Sequence, residues 1–139
     1  METNLVKYLK ARRPIIWVNS GDYKEIDTIV KESTKEYQDK AIYEYRAFGA
    51  VDFETKVKEE DVTDLYNFLD TLYSEGIKTN AFLLIKNAEE EMKDAKNIAY
   101  IKKIAETRYS SPDYNFTIIV VSEVETVPKE LEKFTSILD

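Results

Sequence analysis

The stretch Pro14-Ile15-Ile16-Trp17-Val18-Asn19-Ser20-Gly21-Asp22-Tyr23-Lys24-Glu25 decides the fold, because it joins an apolar run to the start of a helical pattern. The apolar run 15–18 does not alternate with polar residues, which is typical of a strand buried on both faces of a parallel sheet. The residues that follow at helical spacing are Ile26, Ile29, Val30, Ser33 and Tyr37. The sequence therefore predicts a buried strand followed by a helix over 22–38.

The turn between this strand and this helix is the place where nucleotide-binding α/β proteins hold phosphate, with backbone N–H groups and the positive end of the helix. Such turns carry several glycines, and the Walker A loop reads G-x-x-x-x-G-K-[ST]. This turn has one glycine, Gly21, and Lys24 lies out of the Walker register. Asp22 and Glu25 have the spacing of an N-cap and its capping-box partner, so carboxylates occupy the helix end that favours anions. We predict a nucleotide-binding scaffold whose phosphate site is filled.

Composition excludes several classes of chemistry. The chain has 139 residues, of which 43% are hydrophobic, enough for one core and one domain over 1–139. It contains no cysteine and no histidine, which excludes disulfides, the usual zinc sites and histidine-dependent catalysis. The net charge is −7 and the 20 basic residues are spread along the chain, which argues against nucleic acid as a direct ligand.

The sequence also lacks the features of a membrane protein or an exported protein. No apolar run approaches the roughly 20 residues of a membrane span. The N-terminus has no apolar core of a signal peptide. The expected location is the cytoplasm, with no membrane partner.

The remainder of the chain alternates between strand and helix patterns. Further strands are predicted over 41–46, 80–86 and 116–121. Further helices are predicted over 2–11, 62–73, 88–108 and 128–135, where Pro128 opens the last one and Gly76 caps the second. The segment 48–58 is predicted to be a loop and 110–113 a turn. Strands separated by crossover-length helices predict a three-layer α/β/α fold with a parallel sheet of about four strands.

Four segments carry a resemblance to a known family. They are Leu9-Lys10-Ala11-Arg12-Arg13-Pro14-Ile15-Ile16-Trp17-Val18, Ala81-Phe82-Leu83-Leu84-Ile85-Lys86-Asn87, Phe116-Thr117-Ile118-Ile119-Val120-Val121-Ser122 and Val127-Pro128-Lys129-Glu130-Leu131-Glu132. In order and spacing they are similar to the core of an AAA-type P-loop ATPase. More specifically, the chain resembles the degenerate N-terminal AAA-like domain that precedes the working ATPase module in a family of bacterial and plastid AAA proteins.

The resemblance implies a sheet order of 1-4-3-2, with a fifth strand belonging beside strand 1. It implies that the chain is the N-terminal part of a longer ATPase, whose C-terminal AAA module is its partner, and that copies of the domain could associate. It also implies a non-catalytic interaction or regulatory domain that does not hydrolyse nucleotide.

The departures from a working ATPase concern particular residues. Walker B needs an Asp for Mg²⁺ at the end of the third predicted strand, usually with a Glu to orient water. This strand ends in Lys86 and Asn87, and Lys86 would repel the metal. Ser122, at the sensor-1 position, could bond a phosphate or cap a turn. The segment 129–139 contains no arginine, so the usual arginine finger has no counterpart. No catalytic, cofactor-binding or metal-binding residue is therefore assigned, and no cofactor is expected.

An alternative is a small α/β enzyme with an acidic, metal-assisted site at the carboxyl ends of the strands, such as a phosphohydrolase or a nuclease. Its carboxylates would be Asp22, Glu89, Glu123 and Glu125. The run 89–91 is better explained as first-turn acids favoured by the helix dipole. Asp52 and Glu54 could pair as acid and base, although a solvated loop is the better interpretation. A receiver-like signalling domain would need a phosphoacceptor Asp where Lys86-Asn87 stands.

Two further expectations concern surfaces. Tyr43, Tyr45, Tyr109 and Tyr114 are expected to be partly exposed and able to anchor a partner. The chain reaches Ile137-Leu138-Asp139 where strand 5 would begin, which suggests a domain excised from a longer protein. Without strand 5, the strand 15–18 would become a sheet edge, shielded by the N-terminal helix, by 137–138 or by a second molecule.

Overall fold

The structure is a computed structural model that describes residues 2–74, 79–109, 114–123 and 126–138, without the side chains of 108 and 109. These residues form four α-helices, six strands and two 3-10 helices. In chain order they are α1 (Glu2–Lys10), β1 (Ile15–Asn19), α2 (Tyr23–Thr34), β2 (Lys40–Arg46), β3 (Gly49–Val51), α3 (Leu65–Ser74), β4 (Asn80–Lys86), a 3-10 helix (Glu91–Lys93), α4 (Ala95–Tyr109), β5 (Phe116–Ser122), a second 3-10 helix (Lys129–Phe134) and β6 (Thr135–Leu138).

The strands form one sheet in the order β3-β2-β4-β5-β1-β6. All neighbours are parallel except β3, which is antiparallel to β2. The four predicted strands follow one another as β2-β4-β5-β1, so the expected 1-4-3-2 order is confirmed. The expected count of about four strands is too low, since one further strand is added at each side of the sheet.

The first added strand, β3, lies inside the segment 48–58 that was predicted to be a loop. Phe48 turns the chain with a positive φ of 74° and leads into Gly49, which pairs with Arg46. A Cβ on Gly49 would lie 2.9 Å from the Lys58 Cε and 3.3 Å from the Val62 carbonyl oxygen. These groups therefore pack closely on the Gly49 backbone and leave little room for a side chain. On the side away from β2, the backbone partners of β3 lie in the segment 58–62. Three residues are too few to leave an alternating pattern in the sequence.

The second added strand, β6, lies beside β1, where residues 15–18 pair in parallel with residues 135–138. The prediction that β1 is a sheet edge is therefore wrong, and of the three expected shields 137–138 is the one that pairs with it. Arg13, just before β1, binds the residues at and before β6. Its Nε donates a hydrogen bond to the Ser136 Oγ at 2.8 Å, and its Nη2 donates one to the Lys133 carbonyl at 3.1 Å. The predicted last helix is the short 3-10 helix between Pro128 and β6.

The helix predicted over 88–108 begins later than expected, at Ala95. The residues before it include the 3-10 helix, and the side chain of Glu91 in that helix points towards the interior of the protein. Its two oxygens accept hydrogen bonds from the Tyr45 hydroxyl at 2.6 Å and from the Leu65 N–H at 2.8 Å. The interpretation of 89–91 as first-turn acids of a long helix is wrong, since Glu91 instead joins β2, α3 and the 3-10 helix.

Two hydrophobic clusters lie on opposite faces of the sheet and complete the predicted α/β/α layers. Alternate residues of β1 divide between them, with Ile15 and Trp17 facing α3 and α4, and Ile16 and Val18 facing α1 and α2. None of the described helices is long and apolar enough to cross a membrane.

Of the four tyrosines expected to be partly exposed, Tyr43 and Tyr114 agree with the expectation and Tyr45 does not. Tyr45 is fully buried, so its predicted exposure is wrong, and burial, followed by its bond to Glu91, raises the pKa of its phenol. Tyr43 is half-buried, and Tyr114 is 38% exposed. The Tyr109 side chain, Gly76 and the turn 110–113 lie outside the described residues.

A pair of substitutions on β6 tests whether this strand belongs to the core. Leu138 is 1% exposed and Ile137 is 44% exposed. We expect Leu138→Ala to lower the free energy of unfolding by about 2–4 kcal/mol, because it removes buried methyl groups and leaves a cavity. Ile137→Ala, the matched control, should cost less than about 1 kcal/mol. Guanidinium denaturation measures both, and equal losses would contradict the pairing of β6.

Candidate functional site

The carboxyl ends of β1, β4 and β5 lie next to one another at the edge where parallel α/β sheets bind ligands. The turn after β1 is closed by its own hydrogen bonds. The Ser20 N–H donates to the Ser122 carbonyl at 3.2 Å, and the Asp22 N–H donates to the Ser20 Oγ at 3.0 Å. The Asp22 carboxylate accepts from the Glu25 N–H at 3.1 Å, which confirms Asp22 as the N-cap of α2. Three N–H groups that could face a phosphate are thus already used.

Gly21 makes room for a carboxylate of the protein itself. A Cβ at Gly21 would overlap the Glu123 carboxylate, which lies directly against the glycine. Tyr23 follows in the same turn, and the pKa of its phenol is raised by burial and by the nearby carboxylates of Glu89 and Glu123. Where a phosphate loop would place a bound anion, this protein places its own acidic side chains.

Lys86, at the Walker B position, is the centre of a buried network of charges. Its side chain is fully buried, and its Nζ lies 2.5 Å from the Asp27 Oδ1 and 2.9 Å from the Glu44 Oε1. Lys56 bridges the same two acids, at 2.8 Å from the Asp27 Oδ2 and 2.6 Å from the Glu44 Oε1. Arg46 Nε contacts the Glu44 Oε2 at 2.6 Å. We call these five residues the Lys86 network.

The Lys86 network joins four parts of the chain. Asp27 comes from α2, Glu44 and Arg46 from β2, Lys56 from the loop after β3, and Lys86 from β4. The Tyr23 ring lies over it, 5.3 Å from the Lys86 Nζ and 5.5 Å from the Arg46 guanidinium. The sequence showed that Lys86 would repel a metal but not that it has partners, because Asp27 and Glu44 are 59 and 42 residues away.

Ser122, the residue at the sensor-1 position, is 4% exposed and donates a hydrogen bond to the Glu89 Oε1 at 3.3 Å. The Ser122 hydroxyl, which could have bonded a phosphate, therefore bonds a carboxylate.

Asn87, which directly follows β4, has a left-handed backbone with a φ of 52°.

The acids of the alternative metal site have separate roles. Asp22 caps α2, Glu89 binds Ser122, and Glu123 lies on Gly21. Within the described ranges, no group of three acidic side chains is arranged to hold a metal ion. Glu125 lies outside those ranges.

The pair formed by Asp52 and Glu54 also has a structural role. The Asp52 Oδ1 accepts hydrogen bonds from the Glu54 and Thr55 N–H groups, both at 2.9 Å. These bonds, that of Thr55 first, lower the pKa of the Asp52 carboxyl. Glu54 forms an exposed ion pair with Lys31 at 3.5 Å, and the two acids therefore do not form an acid–base pair in a pocket.

Comparison with known proteins identifies a family over the full length. The family model for the SpoVK-like AAA ATPase N-terminal domain matches residues 1–139. The resemblance inferred from the strand segments is thereby confirmed. No curated protein matches the chain significantly.

Several solved structures have a similar fold. C. elegans PCH-2 has a TM-score of 0.57 at 12% identity, over 98% of this chain and 41% of its own. A structure of Drosophila ORC bound to AT-rich DNA and Cdc6 has a TM-score of 0.53 at 12% identity, over 99% of this chain and 51% of the matched chain. A structure of Drosophila ORC bound to DNA has a TM-score of 0.54 at 10% identity, over 99% and 86%. At these identities the likeness shows the fold alone, and the chain spans about half or less of the first two proteins.

Removal of the Lys86 ammonium group should lower the stability of the fold. We expect Lys86→Met to lower the free energy of unfolding by about 1–3 kcal/mol, because Asp27 and Glu44 lose their fully buried partner but keep Lys56 and Arg46. Lys86→Met combined with Glu44→Leu should cost more than the single change, since Lys56 and Arg46 then lose the acid that they share. Lys93→Met, which removes the exposed pair with Glu90, should cost at most about 0.5 kcal/mol. Urea denaturation gives the three values, and a loss for Lys86→Met as small as that for Lys93→Met would show that the network does not stabilise the fold.

Proposed function

The chain belongs to the family of SpoVK-like AAA ATPase N-terminal domains, and from this premise we propose that it is a non-catalytic interaction and regulatory domain of a longer ATPase. Residues 1–139 would form one domain that packs against the C-terminal ATPase module of the same chain and could associate with its own copies. It would hydrolyse no nucleotide itself. The observation that carries the proposal is the filled phosphate site at the turn after β1.

This turn opposes phosphate in two ways. The hydrogen bonds made by Ser20, Asp22 and Glu25 use the backbone donors that would cradle an anion. The carboxylates of Asp22 and Glu123 then add repulsion, because two like charges about 4 Å apart cost roughly 1 kcal/mol in water and about 4 kcal/mol near a protein surface. A nucleotide phosphate would have to displace the protein's own acids from the helix end.

The metal that accompanies ATP has no support at the end of β4. Working P-loop ATPases hold Mg²⁺ there with an Asp, and Lys86 replaces it with a fixed positive charge. Two acids already neutralise Lys86, at 2.5 and 2.9 Å. Turning Asp27 or Glu44 towards a metal would take one of its two acidic partners from the buried lysine, which is unfavourable.

The buried charges in this region also fit the proposed interaction role. The Lys86 network holds α2, β2 and β4 in one arrangement without creating an open reactive site. A rigid AAA-type scaffold without its chemistry is suited to contacts with other protein surfaces. A cytoplasmic location and the absence of a cofactor belong to this proposal as predictions from the sequence.

Nucleotide titration tests the loss of the phosphate site. We expect isothermal calorimetry with Mg-ATP or Mg-ADP to give no binding heat up to millimolar nucleotide, because the turn repels phosphate. We also expect no change in Tm at 5 mM Mg-ATP relative to MgCl₂ and sodium chloride at matched ionic strength. A Kd near 50 μM would add about 2.7 kcal/mol at this concentration. A rise in Tm of several degrees would therefore contradict the proposal.

The regulatory role is tested in the full-length ATPase. We expect removal of residues 1–139 to leave ATP hydrolysis in place, because the catalytic groups would lie in the other module, but to change its rate or the size of the assembly. Turnover and light scattering measure the two effects. Unchanged turnover together with unchanged assembly size would count against an interaction role, and complete loss of hydrolysis in a folded remainder would count against a non-catalytic domain.

A further inference from the structure

A cleft of about 650 Å³ opens on the α4 side of the sheet, beside the carboxyl ends of β1 and β5. One wall is the segment between β4 and α4, and another is the start of the second 3-10 helix. The apolar side chains that line it are Trp17, Ala88, Met92, Ile98, Val120 and Pro128. The volume and apolar lining are those of ligand sites in proteins.

Trp17, one of the residues that line this cleft, carries a hydrogen-bond donor without a partner. The residue is 3% exposed, and its Nε1 is one of two side-chain polar atoms in the described residues that are buried without a partner. A buried donor without an acceptor costs about 1–3 kcal/mol, so such groups are rare in folded proteins. An acceptor brought by a ligand, such as a backbone carbonyl, would recover that cost if a shift of the ring or its neighbours uncovers the N–H, which has no exposed surface in this structure.

The rim of the cleft is acidic. The charged residues that line it are Glu89, Glu90, Glu130 and Lys93, which together carry a net charge of −2. Lys93 contacts the Glu90 carboxylate at 3.0 Å, so the cation of the rim is already engaged with one of the acids. An apolar base with an acidic rim complements a ligand that places an apolar group next to a positive charge.

We propose that this cleft binds a short segment of a partner protein that presents a large apolar side chain beside a lysine or arginine. The apolar side chain enters between Met92, Ile98 and Pro128, and the basic residue meets Glu130 at the rim. A backbone carbonyl of the segment accepts the hydrogen bond of the Trp17 indole. A peptide supplies all three groups together. The inference deepens the proposed interaction role and rests on it.

The sole tryptophan of the chain lines this cleft, so its fluorescence gives a direct signal for binding next to Trp17. The probe is an acetylated, amidated seven-residue peptide with lysine at the first, fourth and seventh positions and leucine-phenylalanine pairs between them. The matched probe replaces each lysine with glutamate. We expect the lysine peptide to change Trp17 emission in a saturable way with a Kd below about 1 mM, and the glutamate peptide to bind at least about tenfold more weakly.

Charge-reversal variants distinguish a specific effect of the acidic rim of the cleft from an effect of the overall charge of the protein. Glu90→Lys combined with Glu130→Lys should weaken the lysine peptide by about tenfold or more, since both exposed side chains line the cleft. Glu36→Lys combined with Glu32→Lys, an equal change of charge at exposed positions outside the cleft, should leave the Kd within about twofold. Trp17→Phe keeps an aromatic ring and removes the N–H, and calorimetry should show about three- to tenfold weaker binding.

Each alternative outcome is decisive. The inference fails if the lysine peptide gives no saturable change, if both peptides bind equally, or if the rim and control variants have equal effects. It also fails if folded Trp17→Phe binds the peptide as tightly as the original chain. If neither peptide nor Mg-ATP changes Trp17 emission, the peptide site fails while the loss of nucleotide binding stands. If Mg-ATP alone changes the emission saturably, both proposals fail.

Discussion

The buried ammonium group of Lys86 is the constraint on which the carboxyl edge of the sheet depends. A lysine without exposed surface needs acidic partners, because an unpaired charge in the protein interior is very unfavourable. Asp27 and Glu44 supply them from α2 and β2, and Lys56 closes the network from the loop after β3. These elements cannot shift independently without separating charges that lie 2.5–2.9 Å apart. The network therefore determines how α2 and the β2–β3 hairpin sit on β4.

The same edge shows how a nucleotide-binding scaffold can lose its chemistry and keep its architecture. An active P-loop site collects backbone N–H groups and a metal around an anion that the ligand brings. Here Asp22, Glu89 and Glu123 occupy that surface as part of the protein, and Ser20 and Ser122 bond within it. The groups of this edge satisfy one another. The apolar cleft beside it retains an unused donor at Trp17.

Sequence reasoning succeeded where a pattern is local and strong. The apolar runs led directly to β1, β4 and β5, and the 80–86 boundaries of β4 agree with the structure. The spacing of Asp22 and Glu25 predicted a real N-cap. Sequence reasoning failed at β3 and β6, where few residues carry a strand pattern, and at polar side chains that point into the interior. Tyr45 donates a partly buried hydrogen bond of 2.6 Å to Glu91 across 46 residues of sequence, and the identity of neither residue indicates its partner.

The sequence by itself determined the alternation of strand and helix, the order of the four central strands, the absence of Walker residues and the family resemblance. The strand order came from the family resemblance, and the remaining properties follow from local periodicity and from the identity of single residues. The tertiary structure decided that β1 has neighbours on both sides, that Lys86 pairs with acids from α2 and β2, and that Trp17 borders a cleft with an acidic rim. The physical reason is that burial and pairing depend on residues distant along the chain, which only the folded sheet brings into contact.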